Sequence, residues 1–293
     1  MKWLKRILLC VAVLLTVVIV AASIGVYMYR GRPGWYRPRT MTASQRKQTV
    51  NSADQKFADI FSWAAQVQAQ QLRISHAKRP IREAPIGPKT VTITEDELNT
   101  FADNWQGPDK SNLQSWFKGY FTDVRLVLDD GAMILAGQSR DLGTLVSVEF
   151  DPSVDVQGRL HFDLEGIRAG MLPVPRGVLG DRLDRLHSWL VSRLSKNQQW
   201  SEVDPTMVAD TCAVGAVTTQ LLLDAMDGNT SEPLMFVPFN LSDRRQSLTV
   251  RISAIKASQG SITLTLLPIP VTERTAVLTT IKKPYGQPAA AAQ

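Results

Sequence analysis

The sequence is poor in the residue types that carry most enzyme and metal chemistry. It has three histidines and two cysteines in 293 residues. His76, His161 and His187 fall in a proline-containing stretch, on the polar face of a strand pattern and on a helix pattern. None belongs to a metal spacing such as His-Glu-x-x-His. Cys10 lies in an apolar run and Cys212 in a helical pattern, so an internal disulfide is not expected, and this leaves the compartment open. There is no Gly-x-Ser-x-Gly elbow and no phosphate loop. Ser115-Trp116-Phe117-Lys118 matches Ser-x-x-Lys, but the Ser-Asp-Asn and Lys-Thr-Gly partners of that chemistry are missing. Asp129-Asp130 and Asp151 with Asp155 fit turns, and a calcium loop would need more oxygen ligands at fixed spacing. The expectation is a non-enzymatic protein with no catalytic residue, metal or cofactor.

Acidic residues are absent from the first forty positions, which hold Lys2, Lys5, Arg6, Arg30, Arg32, Arg37 and Arg39. Those are seven of thirty-three basic residues, leaving twenty-six against twenty-seven acids. The pI near 9.4 therefore describes the N-terminal flank, and a nucleic-acid-binding domain is not expected. Between the basic groups, Ile7 to Tyr29 carries no charged side chain. As a helix this run would reach about 34 Å, enough for a hydrocarbon core of about 30 Å. Lipid leaves a single run of this kind no alternative to a helix. Tyr27, Tyr29, Trp35 and Tyr36 would lie at the interfacial belt. Ala21-Ala22-Ser23 could be a cleavage site, but the apolar stretch continues through Val26 and Met28, so an uncleaved anchor is expected. Lys2, Lys5, Arg6 and the α-amino group favour a cytoplasmic N-terminus; the four arginines past the run argue the other way. A six-residue head before a long domain favours the domain outside the cytoplasm.

Pro33, Gly34 and Pro38 make residues 1–40 an anchor with a basic neck. Residues 41–75 form an amphipathic helix, with Val50, Ala53, Phe57, Ile60, Phe61, Ala64 and Val67 on one face. Residues 76–89, with Pro80, Pro85 and Pro88, read as a linker. A domain over 90–270 follows, then a tail over 271–293 with a disordered end. Val91 and Ile93 belong to a strand, and Thr94-Glu95-Asp96-Glu97 is a capping box opening a helix through Trp105. Asp130-Gly131 joins two alternating runs as a hairpin. Leu145–Phe150 is a strand that Asp151-Pro152 should break. Leu160, Phe162 and Leu164 alternate with His161, Asp163 and Glu165. Helices are expected over Gly177–Leu194 and after Asp204-Pro205 to Gly228, then strands near Leu234–Val237, Leu248–Ile255 and Ile262–Leu267. Without regular β–α alternation, the fold class is α+β: an N-terminal transmembrane helix, then a mostly antiparallel sheet packed with helices.

Several segments carry a resemblance: Ile93-Thr94-Glu95-Asp96-Glu97-Leu98-Asn99, Val148-Glu149-Phe150-Asp151-Pro152, Gly158-Arg159-Leu160 and Gly170-Met171-Leu172-Pro173-Val174-Pro175. With the anchor, they make the chain resemble the YpmS-like family of uncharacterised, membrane-anchored bacterial proteins over about residues 90–195. The resemblance implies an envelope location and no catalytic motif. The Gly-x-Leu-Pro-x-Pro pattern is also similar to that of bacterial envelope proteins whose curved sheet and helices shelter lipid.

Apolar binding is the remaining expectation. Trp105, Trp116, Phe117, Tyr120 and Phe121 cluster around Gly107 and Gly119, and Leu172 adds a proline-stiffened apolar segment; these six are the candidate ligand-binding residues. The ligand would be a lipid or another apolar molecule. An envelope protein partner held by a scaffold is the alternative, and a hydrolase with an unrecognised site a further one.

Overall fold

Thr42 opens the first long helix. Its Oγ1 accepts from the Gln45 N–H (3.2 Å) and the Gln45 side chain accepts from the Thr42 N–H (3.0 Å), a reciprocal cap. The computed structural model describes residues 23, 25–36, 41–76, 84–104, 121–175, 180–197, 211–238, 247–270 and 273. Helix α1 (Ala43–His76) runs 34 residues, about 51 Å. Its Ala53, Phe57, Ile60, Trp63, Ala64 and Val67 form one buried stripe. That stripe packs on Ile93, Val250, Ile252, Ile262, Leu264 and Leu266. The helix expected from its periodicity is thus part of a core rather than a surface appendage.

Those partners come from a four-stranded antiparallel sheet in the order β1-β9-β8-β7, built from β1 (Lys89–Thr94), β9 (Ser261–Pro268), β8 (Ser247–Ser258) and β7 (Leu234–Pro238). Alternation sends Val91, Ile93, Ile262, Leu264 and Leu266 toward α1. The threonines point the other way, and Thr92 meets Thr263 at 3.0 Å across the strands.

Helix α2 (Glu95–Asn104) follows β1 directly. The expected capping box is present: Glu97 N–H donates to Thr94 Oγ1 (3.3 Å), and Thr94 N–H donates to Glu97 Oε2 (2.8 Å). A second sheet, of five strands in the order β2-β3-β4-β5-β6, comprises β2 (Phe121–Asp129), β3 (Ala132–Ser139), β4 (Leu145–Val154), β5 (Leu160–Ala169) and β6 (Leu172–Pro173). Its first hairpin turns at Asp130-Gly131, where Gly131 takes φ 78°. Helix α2 closes the β2 edge. The Asn99 amide donates to Leu126 O (2.7 Å) and accepts from Leu126 N–H (2.8 Å), while Glu95 Oε2 accepts from Leu128 N–H (2.9 Å). An otherwise open strand edge is thereby satisfied by side chains. Helices α3 (Gly180–Asn197) and α4 (Thr211–Asp227) pack on each other, and α4 also lies against β5.

The α+β class with antiparallel pairing stands, but there are two sheets where one was expected. Pro152 does not break its strand; β4 continues to Val154, with Pro152 opposite Phe162. Its pairing with β3 starts at Met133, opposite Phe150, so from Asp151 onward β4 has, among the described residues, a paired strand on one side only, where a missing N–H is tolerated. The β5 alternation is also interrupted: Glu165 is an extra residue between Leu164 (opposite Phe150) and Gly166 (opposite Glu149). This bulge returns Ile167 to the face that holds Leu164. Among the described residues no helix is long and apolar enough to cross a membrane, and positions 1–22 lie outside them.

Candidate functional site

The strand register assembles an apolar face. Leu126, Leu135, Val148 and Ile167 stand in one row across β2 to β5, and Leu128, Met133, Phe150 and Leu164 form the next. Toward one end Gly137, Val146 and Ala169 continue the face, and toward the other Pro152 pairs with Phe162 and Val154 with Leu160. No charged side chain interrupts these rows. Ile167 and Leu128 are buried, and Leu128, with half-buried Leu126 and Met133, joins the core under α1; Leu135, Val148, Phe150 and Leu164 are half-buried beside it. The opposite face holds Val127, Ile134, Ala136 and Ser147, all buried, together with Arg125, Glu149, Asp151, Asp163 and Arg168, with Arg168 3.5 Å from Glu149.

One end of this sheet receives the end of the apolar N-terminal run. Residues 25–30 are helical. The Met28 carbonyl accepts from Met171 N–H (2.8 Å), and the Tyr29 carbonyl accepts from the Thr144 hydroxyl. Tyr29 Oη donates to Leu142 O (2.8 Å), and Gly31 N–H closes the helix on Tyr27 O (2.8 Å). Helix-terminal carbonyls that would otherwise lack partners are thus satisfied by the β3–β4 and β5–β6 turns. Gly170 makes this approach feasible. It takes φ 62°, and a Cβ there would overlap the Tyr29 carbonyl and lie 2.6 Å from the Met28 oxygen. Met171 covers Gly31 through its sulfur.

The neck then crosses the other face. Tyr36 is buried with Ala136 and Leu145, and Trp35 packs edge-on to it. Its hydroxyl donates to Asp123 Oδ2 (2.8 Å), and Arg125 holds Asp123 Oδ1. Asp123 has φ 55°, unusual for a non-glycine residue, at the β2 bulge between Thr122 and Arg125. Burial, then the hydrogen bond to Asp123, pushes the Tyr36 hydroxyl pKa up to about 12.

Of the candidate ligand-binding residues, Trp105, Trp116, Phe117 and Tyr120 lie outside the described residues. Phe121 opens β2 half-buried, and a Cβ on Gly137 would sit 3.3 Å from it. Leu172 lies in β6, at the opposite edge of the same sheet. The structure does not bring these two together, although both are near the end that holds the helix. Sequence reasoning missed the rows on β3 to β5, whose apolar positions were visible but whose alignment depends on register. It also missed Thr144, whose hydroxyl gave no local signal.

Polar clusters lie elsewhere in the described fold. Glu97 is nearly buried; burial raises its pKa, but Lys56 (2.7 Å), the Ser52 hydroxyl and the Thr94 N–H outweigh this and hold it below the usual carboxylate range. Asp155 is held low by the Arg159 N–H and, less strongly, by His161 (3.2 Å) and the Gln157 N–H; it organises the β4–β5 turn. His187 lies 3.3 Å from Asp227. An open depression of about 450 Å³ lies beside Asp130, Asp151 and Lys256, but Asp130 Oδ1 already accepts from Gln259 N–H (3.1 Å) in a clasp between two hairpins. Among the described residues no three His, Cys, Asp or Glu side chains converge as a metal site. No protein-family model, curated protein or solved structure gives a significant match to this chain.

Proposed function

We propose that this is a single-pass, membrane-anchored and non-enzymatic protein of the bacterial cell envelope. Residues 7–29 span the bilayer, the folded part lies outside the cytoplasm, and the five-stranded sheet binds a lipid or another apolar ligand. The observation that carries the reading is the uncharged double row on β2 to β5, in which Leu135, Val148, Phe150 and Leu164 stay half-buried beside the core that Leu126, Leu128 and Met133 join. It begins at the end of the sheet to which Met28 and Tyr29, the last residues of the uncharged N-terminal run, are bonded. A face of this composition suits an acyl chain, because burial is worth about 25 cal/mol per Å² of apolar surface and demands no polar partner. Kinship with YpmS-like proteins is part of this proposal and rests on the motifs alone. Their residues have structural jobs here: Thr94 and Glu97 cap α2, Glu95 and Asn99 bind the β2 edge, and Gly170 admits the helix end.

The test places a diazirine-bearing aliphatic amino acid at Leu135 or Val148 of the full chain in cells. Irradiation should give lipid adducts at both positions and none at Val156, which is 97% exposed in the β4–β5 turn. Protein adducts without lipid would replace this reading with the scaffold. Adducts to neither would remove the apolar-binding role.

A further inference from the structure

The contacts around Gly170 have a consequence for where the domain stands. A folded module on a membrane anchor is commonly joined to it by a flexible linker. Here the last helical turn before the neck is held by hydrogen bonds from two different turns of the sheet: Met171 N–H to Met28 O, Thr144 Oγ1 to Tyr29 O, and Tyr29 Oη to Leu142 O. Tyr36 adds a second attachment on the opposite face, through Asp123. Val26 is 54% and Tyr27 73% exposed, so the side chains just before the joint are more than half uncovered. Arg30, Arg32 and Arg140 are exposed around it, with Asp141 the acid in the same turn, and Met171 is 39% exposed beside them.

We propose that the β3–β4 turn (140–144) and the β5–β6 turn (170–171) form a membrane-facing surface that seats in the phosphate headgroup layer. The occupant is the lipid surface itself, since the last residues of the uncharged run, Met28 and Tyr29, are bonded to the sheet at this point. Exposed arginines meet the anionic phosphates, and the aromatic and thioether side chains meet the interface. The helix and the sheet then move as one body, and the apolar rows start at the bilayer rather than at a variable distance from it. This inference rests on the anchor proposed above.

The experiment uses the full chain in nanodiscs containing anionic phospholipid and a fraction of nickel-chelating lipid. Spin labels are introduced as Asp141→Cys or Val156→Cys on a Cys10→Ala, Cys212→Ala background. The two sites are at opposite ends of β4, whose ten residues span about 33 Å. The label at 141 should relax several-fold more strongly through the headgroup nickel than the label at 156. Thr144→Val removes one bond of the joint, and Gly170→Val blocks the approach; both should reduce that difference while the protein stays in the carbonate-resistant membrane fraction. Protease resistance of the domain confirms that each variant folds. Equal relaxation at 141 and 156 in a carbonate-resistant protein would overturn the seated surface and leave the anchor standing. An undiminished difference in both folded variants would overturn the role of the joint. Release of the parent protein by carbonate would remove the anchor and this inference together.

Discussion

The hydroxyl of Tyr36 donates to Asp123 inside a patch closed by Trp35, Ala136 and Leu145. Its folded pKa of about 12 lies above the ordinary 10.0. Folding therefore favours the neutral phenol, a contribution present below pH 10 and lost as pH rises toward 12. In a spectrophotometric titration of the tyrosinate band, Tyr36 should ionise near pH 12 in the folded protein, and Tyr36→Phe should abolish that late step. The same substitution should cost about 1.5–3 kcal/mol in urea unfolding, the worth of a hydrogen bond to a charged group. Glu97 works with the opposite sign. Its carboxyl is held below the usual range by Lys56, Ser52 and Thr94 against the cost of burial. Its contribution is present above the ordinary carboxylate pKa of about 4.3 and lost as pH falls through the lower folded value. Glu97→Ala should cost about 2–4 kcal/mol, combining a lost cap with an ion pair whose Glu97 side is buried. The difference should shrink in unfolding curves recorded below pH 4, and an unchanged difference there would exclude the ionised form as the source. The capping role of Glu97 was legible, because Thr-x-x-Glu is a local signature. Its bonds to Ser52 and Lys56 were not, since they cross more than forty positions of chain.

Among the elements, α2 does more than its propensity accounts for. Asn99 supplies both a donor and an acceptor to Leu126, and Glu95 an acceptor to Leu128, so one helical turn matches two alternate positions on a strand edge. Asn99→Ala leaves Leu126 N–H and C=O without that partner and should cost about 2–3 kcal/mol. The Leu126 amide should then exchange faster with deuterium; unchanged exchange would mean that other groups close the edge. Helix α1 depends on burial instead. Ile60 is fully buried in its stripe, and Ile60→Ala should lower unfolding free energy by about 2–5 kcal/mol. The existence and periodicity of α1 were readable from Ala53, Phe57, Ile60 and Ala64, because a 3.6-residue repeat survives in any context. Pro152 was misread for the converse reason. Whether a proline breaks a strand depends on which neighbours flank it, and that is set by where β3 begins. The bulge at Glu165 was equally hidden, since a two-residue alternation says nothing about the length of the partner strand.

For the molecule as a whole, separation in sequence decided what could be read. The five-stranded sheet is a run of hairpins between neighbours, and the Asp-Gly turn at 130–131 announced the first of them. The four-stranded sheet pairs β1 with β9, as in Val91 opposite Leu264; no local pattern records that closure, which is why one sheet was expected. Five of the six candidate ligand residues followed aromatic density between Trp105 and Phe121, whereas the apolar rows emerge only once four strands are in register. Lipid contact along those rows and the seating of the 140–144 turn both presuppose that residues 7–29 remain part of the mature protein and sit in the bilayer. Intact-mass analysis of the protein from carbonate-washed membranes tests that premise most directly. The account predicts a mass that retains the stretch through Tyr29, in material that stays with the membrane pellet. A mature chain starting after Ser23, or a protein recovered in the carbonate supernatant, would contradict it.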